Sequence, residues 1–179
     1  AMGGEMQDAV HEVDIYQNGE VVTLSNAECD FRYRHSRFKS SGEVIVRVRL
    51  KLMAGDKTAG MKKLMDVLKY RMETQPKGYA SIGCIFKNFE LRLQTSDSRL
   101  QGIPESFLKN GKISAGWLID TVGLKGVAVG GAMISSVHGN FVVNSDHATA
   151  ADVLGLIALV KEKVYDTFGI ELEEEIQII

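Results

Sequence analysis

Apolar residues recur along the chain at two distinct periods. Val44, Val46, Val48, Leu50 and Leu52 alternate with Ile45, Arg47, Arg49 and Lys51. A period of two sends successive side chains to opposite faces, so this stretch predicts a strand with one face buried. Between Val13 and Leu24, two short apolar runs flank Asn18-Gly19, the dipeptide best suited to a tight hairpin. Met61, Leu64, Met65, Leu68 and Met72 recur at helical spacing. They predict an amphipathic helix over about residues 56–74, with the Met and Leu stripe as core and Pro76 as its stop.

Further on, a short strand is expected near Cys84 to Asn88, and the stretch from Phe89 to Gly111, which contains Gly102 and Pro104, is expected to be irregular. Ser114 to Val122 predicts a short helix with Ser114 as N-cap. Val127 to Ser135 and Asn140 to Asn144 read as strands joined by a turn. The clearest helix is Ala150 to Phe168, with Val153, Ile157, Val160, Val164 and Phe168 on one face. Thr149 and Asp152 have the spacing of a capping box, and Gly169 stands where a C-terminal glycine cap belongs. Leu172 to Ile179 is expected to close the chain as a strand. This order predicts an α+β fold of small mixed sheets packed with helices. It also predicts two subdomains, residues 1–53 and 54–179, and no internal repeat.

Composition narrows the class. The chain has 179 residues, 45% hydrophobic and 25% charged, as expected of a globular protein of one or two small domains. Its net charge of -2 provides no basic field for nucleic acid. No apolar run reaches the roughly 18 residues of a membrane span. The two cysteines, Cys29 and Cys84, fit a reducing cytoplasm better than a disulfide scaffold.

Several segments carry candidate chemistry. Phe31 to Lys39 packs Arg32, Arg34, Arg37 and Lys39 among aromatics, and reads either as a solvated basic turn or as an anion site. Cys84 follows a glycine in Gly83-Cys84-Ile85-Phe86-Lys87-Asn88; it is either a small buried hydrophobe or a reactive thiol. His138-Gly139-Asn140 sits between two predicted strands and reads first as a structural turn. The four histidines have no metal-ligand spacing, and the cysteines form no CxxC pair. In the acidic run at Glu171 and Glu173 to Glu175, alternation leaves room for one carboxylate to turn inward. Gly130-Gly131 lacks the spacing of a dinucleotide fingerprint. None of these features defines a function by itself.

Taken in order, they resemble one family. Tyr33 to Lys39 resembles the "YRDS-x-FK" motif of UDP-N-acetylenolpyruvoylglucosamine reductases, and Gly83 to Asn88 resembles their "GS-x-FKNP". Ser114 to Asp120, Gly123 to Gly126 and Gly130 to Ala132 resemble "AGWLID", "GLKG" and "GGA". His138 to Asn144 resembles "HANFIVN", and Leu172 to Ile176 resembles "LEPEV". The match begins near Gly3, which resembles a point midway along the family sequence. The resemblance therefore implies a C-terminal portion lacking the family's N-terminal flavin-binding domain. Residues 1–53 would be a remnant of the second flavin-binding subdomain, and 54–179 the substrate-binding domain.

The implied reaction is the NADPH- and FAD-dependent reduction of UDP-N-acetylglucosamine enolpyruvate to UDP-N-acetylmuramate in peptidoglycan synthesis. By motif position, Arg34 would stabilise the enolate, Cys84 would stand in for the family's serine proton donor, and Glu175 would be the catalytic glutamate. Asn88, His138, Tyr33 and, less directly, Gln75 would contact substrate. The alternative is a non-catalytic UDP-sugar-binding module of the same fold. Phe89 replaces the family's proline, and Phe89 to Lys112 is longer than in the family's shorter members.

Overall fold

A computed structural model describes residues 4–91 and 103–178. Residues 92–102, which include Gly102 and much of the expected long loop, lie outside the described residues, as does Ile179, the last residue of the expected closing strand. The chain divides into two compact units, one up to Val67 and one from Leu68.

In the first unit, after the short helix α1 (Met6–Ala9), β1 (Val10–Gln17) and β2 (Glu20–Ser25) form the predicted hairpin. Asn18 and Gly19 both have positive φ, 52° and 89°, which matches the right-handed twist of the flanking strands. A second helical turn, α2 (Phe38–Ser41), precedes β3 (Val44–Leu50), which pairs antiparallel with β1, so the sheet order is β2-β1-β3. The core is small: Val10, Val13, Ile15, Leu24 and Cys29, backed by Phe31 and Phe38. Asp14 is buried beside it and held by the Thr23 hydroxyl at 2.8 Å and by both Arg49 nitrogens at 3.0 Å.

The predicted strand at Val44 forms, but its apolar face is not buried. Val44, Val46, Val48 and Leu50 stay exposed, because this unit's core is drawn from β1, β2 and the turn at Cys29. The predicted helix also forms, as α3 (Lys57–Thr74), and its expected core role is overturned. Met61, Leu64, Met65, Leu68 and Met72 are 45–60% exposed, and the helix has no buried residue. Periodicity determines which side chains share a face, not whether anything meets that face.

The second unit holds the main core, in which Ile85, Phe86, Ile113, Leu118, Ile119, Ile134, Leu156 and Val164 are essentially sealed from solvent. Its sheet combines β4 (Ala80–Cys84), β8 (Ala128–Val129), β9 (Ala132–Ile134) and β10 (Phe141–Asn144) in the antiparallel order β4-β10-β9-β8. The expected strand at Cys84 to Asn88 is displaced toward the N-terminus. Gly83 has φ +83°, and the register slips there before the ladder ends at Cys84. The stretch expected to be irregular contains a small sheet of β5 (Phe89–Glu90), β6 (Leu108–Lys109) and β7 (Lys112–Ile113).

Helix α4 (Ala115–Thr121) starts as predicted, with Ser114 Oγ accepting the Trp117 N–H. Helix α5 (Ala150–Phe168) has the full Thr149–Asp152 capping box and ends at Gly169 in the left-handed region, φ 65°. It buries Leu156, Ile157, Val160, Val164 and Phe168. The expected closing strand is reduced to one bridge, between Phe86 and Glu174. Among the described residues no helix is long and apolar enough to cross a membrane.

Candidate active site

The first unit displays Tyr33 and Arg34 at the tip of a two-residue turn. Arg32 and His35 exchange both backbone hydrogen bonds, at 3.1 and 3.0 Å, and force Arg34 to φ 54°. The Arg34 guanidinium lies 5.2 Å from the Tyr33 ring centroid, in cation–π range. Beside the turn is an open cleft of about 240 Å³ lined by Glu5, Met6, Gln7 and Phe31 to His35. Arg32 pairs with Asp30, and Arg37 makes a two-pronged contact with Glu43 at 2.6 and 3.0 Å. Arg37 also donates to the Glu28 carbonyl, so it braces the loop that carries Arg34.

In the second unit, Cys84 ends β4 and pairs with Phe141 of β10. Beyond it, the chain is held from two sides. The Ile85 N–H donates to the Asn140 carbonyl at 3.0 Å, while the Ile85 carbonyl accepts the Glu175 N–H at 2.7 Å. The Lys87 N–H donates to the Glu173 carbonyl at 2.8 Å, and the Lys87 ammonium pairs with the Glu173 carboxylate. The Cys84–Asn88 segment and the closing Glu173–Glu175 segment, 86 residues apart at Lys87 and Glu173, therefore lie side by side. Cys84 is followed directly by Ile85, the residue that bonds Glu175.

Asn88 turns its amide oxygen to the Ala115 N–H, 3.1 Å away, at the start of α4. The Glu174 carboxylate of the acidic run meets Lys161 of α5 at 2.7 Å. Burial pushes its carboxyl up, but the Lys161 hydrogen bond and charge outweigh this and leave it below the usual range.

His138 precedes β10. Its ring packs edge-on against Phe141, the partner of Cys84, at 4.9 Å between centroids. Nδ1 accepts the Asn140 N–H at 3.2 Å, which assigns the ring proton to Nε2. The ring has room because residue 116 is glycine: a Cβ there would lie 2.9 Å from His138 Cε1. Burial, reinforced by Lys125, holds the imidazole below its ordinary pKa, so it is a neutral hydrogen-bonding group at pH 7.

The structure thus gathers Cys84, Glu175 and His138 around the end of β4, with Asn88 a few residues on. Tyr33 and Arg34 share their own turn in the first unit. Gln75 shares none of these pairings among the described residues. It follows α3, where its side-chain oxygen accepts from Arg71 at 3.2 Å. Among the described residues no His, Cys, Asp and Glu cluster has the makings of a metal site. Gly130 and Gly131 are packing glycines: a Cβ would meet the Asp152 carboxylate at Gly130 and the Asp146 carbonyl at Gly131. Sequence reasoning passed over Asn140; the only signal for it was its place in His138-Gly139-Asn140.

The fold is α+β, built from small antiparallel sheets packed with helices. The crystal structure of UDP-N-acetylenolpyruvylglucosamine reductase from Thermus caldophilus matches 99% of this chain and 55% of its own, with a TM-score of 0.76 at 37% identity. Residues 75–179 match the family "UDP-N-acetylenolpyruvoylglucosamine reductase, C-terminal domain", and the chain belongs to that family. Relatives named UDP-N-acetylenolpyruvoylglucosamine reductase include one from Heliobacterium modesticaldum, 37% identical over all of this chain and 51% of that protein. Another, from Thermosipho melanesiensis, is 34% identical over 99% of this chain and 54% of that protein. The chain spans about half the length of the relatives it matches.

Proposed function

We propose that this chain is the substrate-binding part of an enzyme that reduces the enolpyruvyl group of UDP-N-acetylglucosamine enolpyruvate to the lactyl ether of UDP-N-acetylmuramate. Residues 54–179 form the substrate-binding domain and residues 1–53 part of a flavin-binding subdomain. In the whole enzyme, FAD reduced by NADPH supplies the hydride. The candidate residues of this chain contribute substrate binding, charge stabilisation and proton transfer.

Addition of hydride to the terminal carbon of the double bond leaves an electron pair on the adjacent carbon, delocalised into the substrate carboxylate. By motif position, Arg34 is assigned to stabilise that charge with its guanidinium and Glu175 to assist. A thiol can act as a general acid, and the Cys84 thiol is assigned the proton that completes the reduction. Asn88, Tyr33 and neutral His138 offer hydrogen bonds to the substrate, and Gln75 serves the nucleotide end. The observation that supports this best is the pairing of Ile85 with Glu175 at 2.7 Å, which sets the proposed proton donor and carboxylate on adjoining segments.

Calorimetric titration of UDP-N-acetylglucosamine enolpyruvate into the chain, without flavin, tests the reading. Glu175→Gln and Asn88→Ala are expected to weaken binding about five- to tenfold each, the scale of one lost hydrogen bond. Asn88→Asp, which retains an acceptor for the Ala115 N–H, separates loss of substrate contact from loss of the α4 anchor. The chain alone is expected to bind without oxidising NADPH. A folded chain that does not bind would refute the assignment of substrate recognition to these residues.

A further inference from the structure

Asn140 is 3% exposed, and its side chain bonds to both backbone polar groups of Phe86. Its Oδ1 accepts the Phe86 N–H at 3.0 Å, and its Nδ2 donates to the Phe86 carbonyl at 2.8 Å. A carboxamide has the donor and acceptor of a peptide group, so the pair closes as two strand residues would. The backbone of Asn140 adds the Ile85 N–H bond at 3.0 Å.

This clamp falls just past Cys84, where the β4 ladder ends. Without it, Phe86 would bury an unsatisfied N–H and C=O at a residue only 2% exposed. On the opposite side, Ile85 and Lys87 take the Glu175 and Glu173 bonds. Asn140 and the closing segment together therefore bond both backbone polar groups of Ile85 and Phe86 and the N–H of Lys87. A side chain serving packing alone would be apolar here, since burying a carboxamide costs free energy unless every polar atom is matched.

We infer that Asn140 is a positioning residue of the candidate active site: its buried carboxamide locks the Phe86 backbone and so holds the segment from Cys84 to Asn88 against the segment that carries Glu175. The inference rests on the proposed function for the roles of those three residues, but its test needs no substrate. The probe is alkylation of Cys84 by iodoacetamide in the full chain, located by peptide mapping. Buried Cys29 reports any opening of the first unit.

Glu175 is bonded to Ile85, the residue after Cys84, so Glu175→Gln, which replaces a carboxyl by an amide on the adjoining segment, is expected to change the rate of Cys84 alkylation about twofold or more. In Asn140→Ala that effect of Glu175→Gln disappears. The amides of Phe86, Lys87 and Glu175 then exchange about tenfold faster, while those of Val160 and Val164 in α5 are unchanged. If Asn140→Ala does not fold, Asn140→Asp serves instead. Its protonated carboxyl keeps one donor and one acceptor, so protection at Phe86 returns as pH falls through the pKa of the new group.

The inference is overturned if Glu175→Gln leaves the thiol unaffected in the parent chain, or affects it equally in Asn140→Ala. Exchange in α5 that rises as much as at Phe86 would reduce Asn140 to a general core residue, as would failure of acid to restore protection in Asn140→Asp. Loss of substrate binding with the thiol coupling intact would count against the proposed function and in favour of the clamp.

Discussion

His138 shows how a single residue's chemistry is set by what it touches. Its ring is wedged between Gly116 and Phe141, and burial and Lys125 both disfavour the imidazolium. The folded-state pKa lies below the ordinary value, so in the window between them the unfolded chain binds more protons. Stability is therefore complete above about pH 6.5 and falls as pH drops through the folded value. In chemical denaturation of the second unit between about pH 6.5 and 4.5, His138→Gln is expected to remove most of this slope. The histidine itself was visible in the sequence as part of a motif. Its neutral form was not, because desolvation is a property of its neighbours.

At the scale of elements, local signals were the most legible. The Asn18-Gly19 hairpin, the Ser114 cap and both ends of α5 stand where the sequence places them, since caps and turns depend on a few adjacent residues. Thr149→Ala is expected to cost about 1 kcal/mol in thermal or urea unfolding, the usual value of an N-cap. Gly131→Ala should cost more, about 3 kcal/mol, because the new Cβ meets the fixed Asp146 carbonyl and the Ala148 nitrogen. Equal losses in the two variants would argue against the close approach at Gly131. The small sheet of β5, β6 and β7 was missed because strands of two residues are too short to show a period.

For the whole molecule, apolar pattern and burial separate. Met65 and Leu118 both lie on apolar helix faces, but Met65 is 60% exposed and Leu118 is fully buried. Met65→Gln is expected to change unfolding free energy by less than about 0.5 kcal/mol, whereas Leu118→Ala should cost about 3 kcal/mol. A large loss in Met65→Gln would show that the α3 stripe is covered after all. Each unit has its own core, so Ile15→Ala is expected to speed amide exchange in the β1 sheet and leave α5 protected.

The sequence by itself determined the α+β order of elements, the caps and turns, and the ordered motifs that place the chain in its family. Each of these is written in residues a few positions apart, or in residue identity alone. Only the tertiary structure decided that the Val44 and Met61 patterns lie open, that Glu173–Glu175 joins Ile85–Lys87 across the chain, and that Asn140 clamps Phe86. Those outcomes depend on contacts between distant segments, whose partners no local pattern specifies.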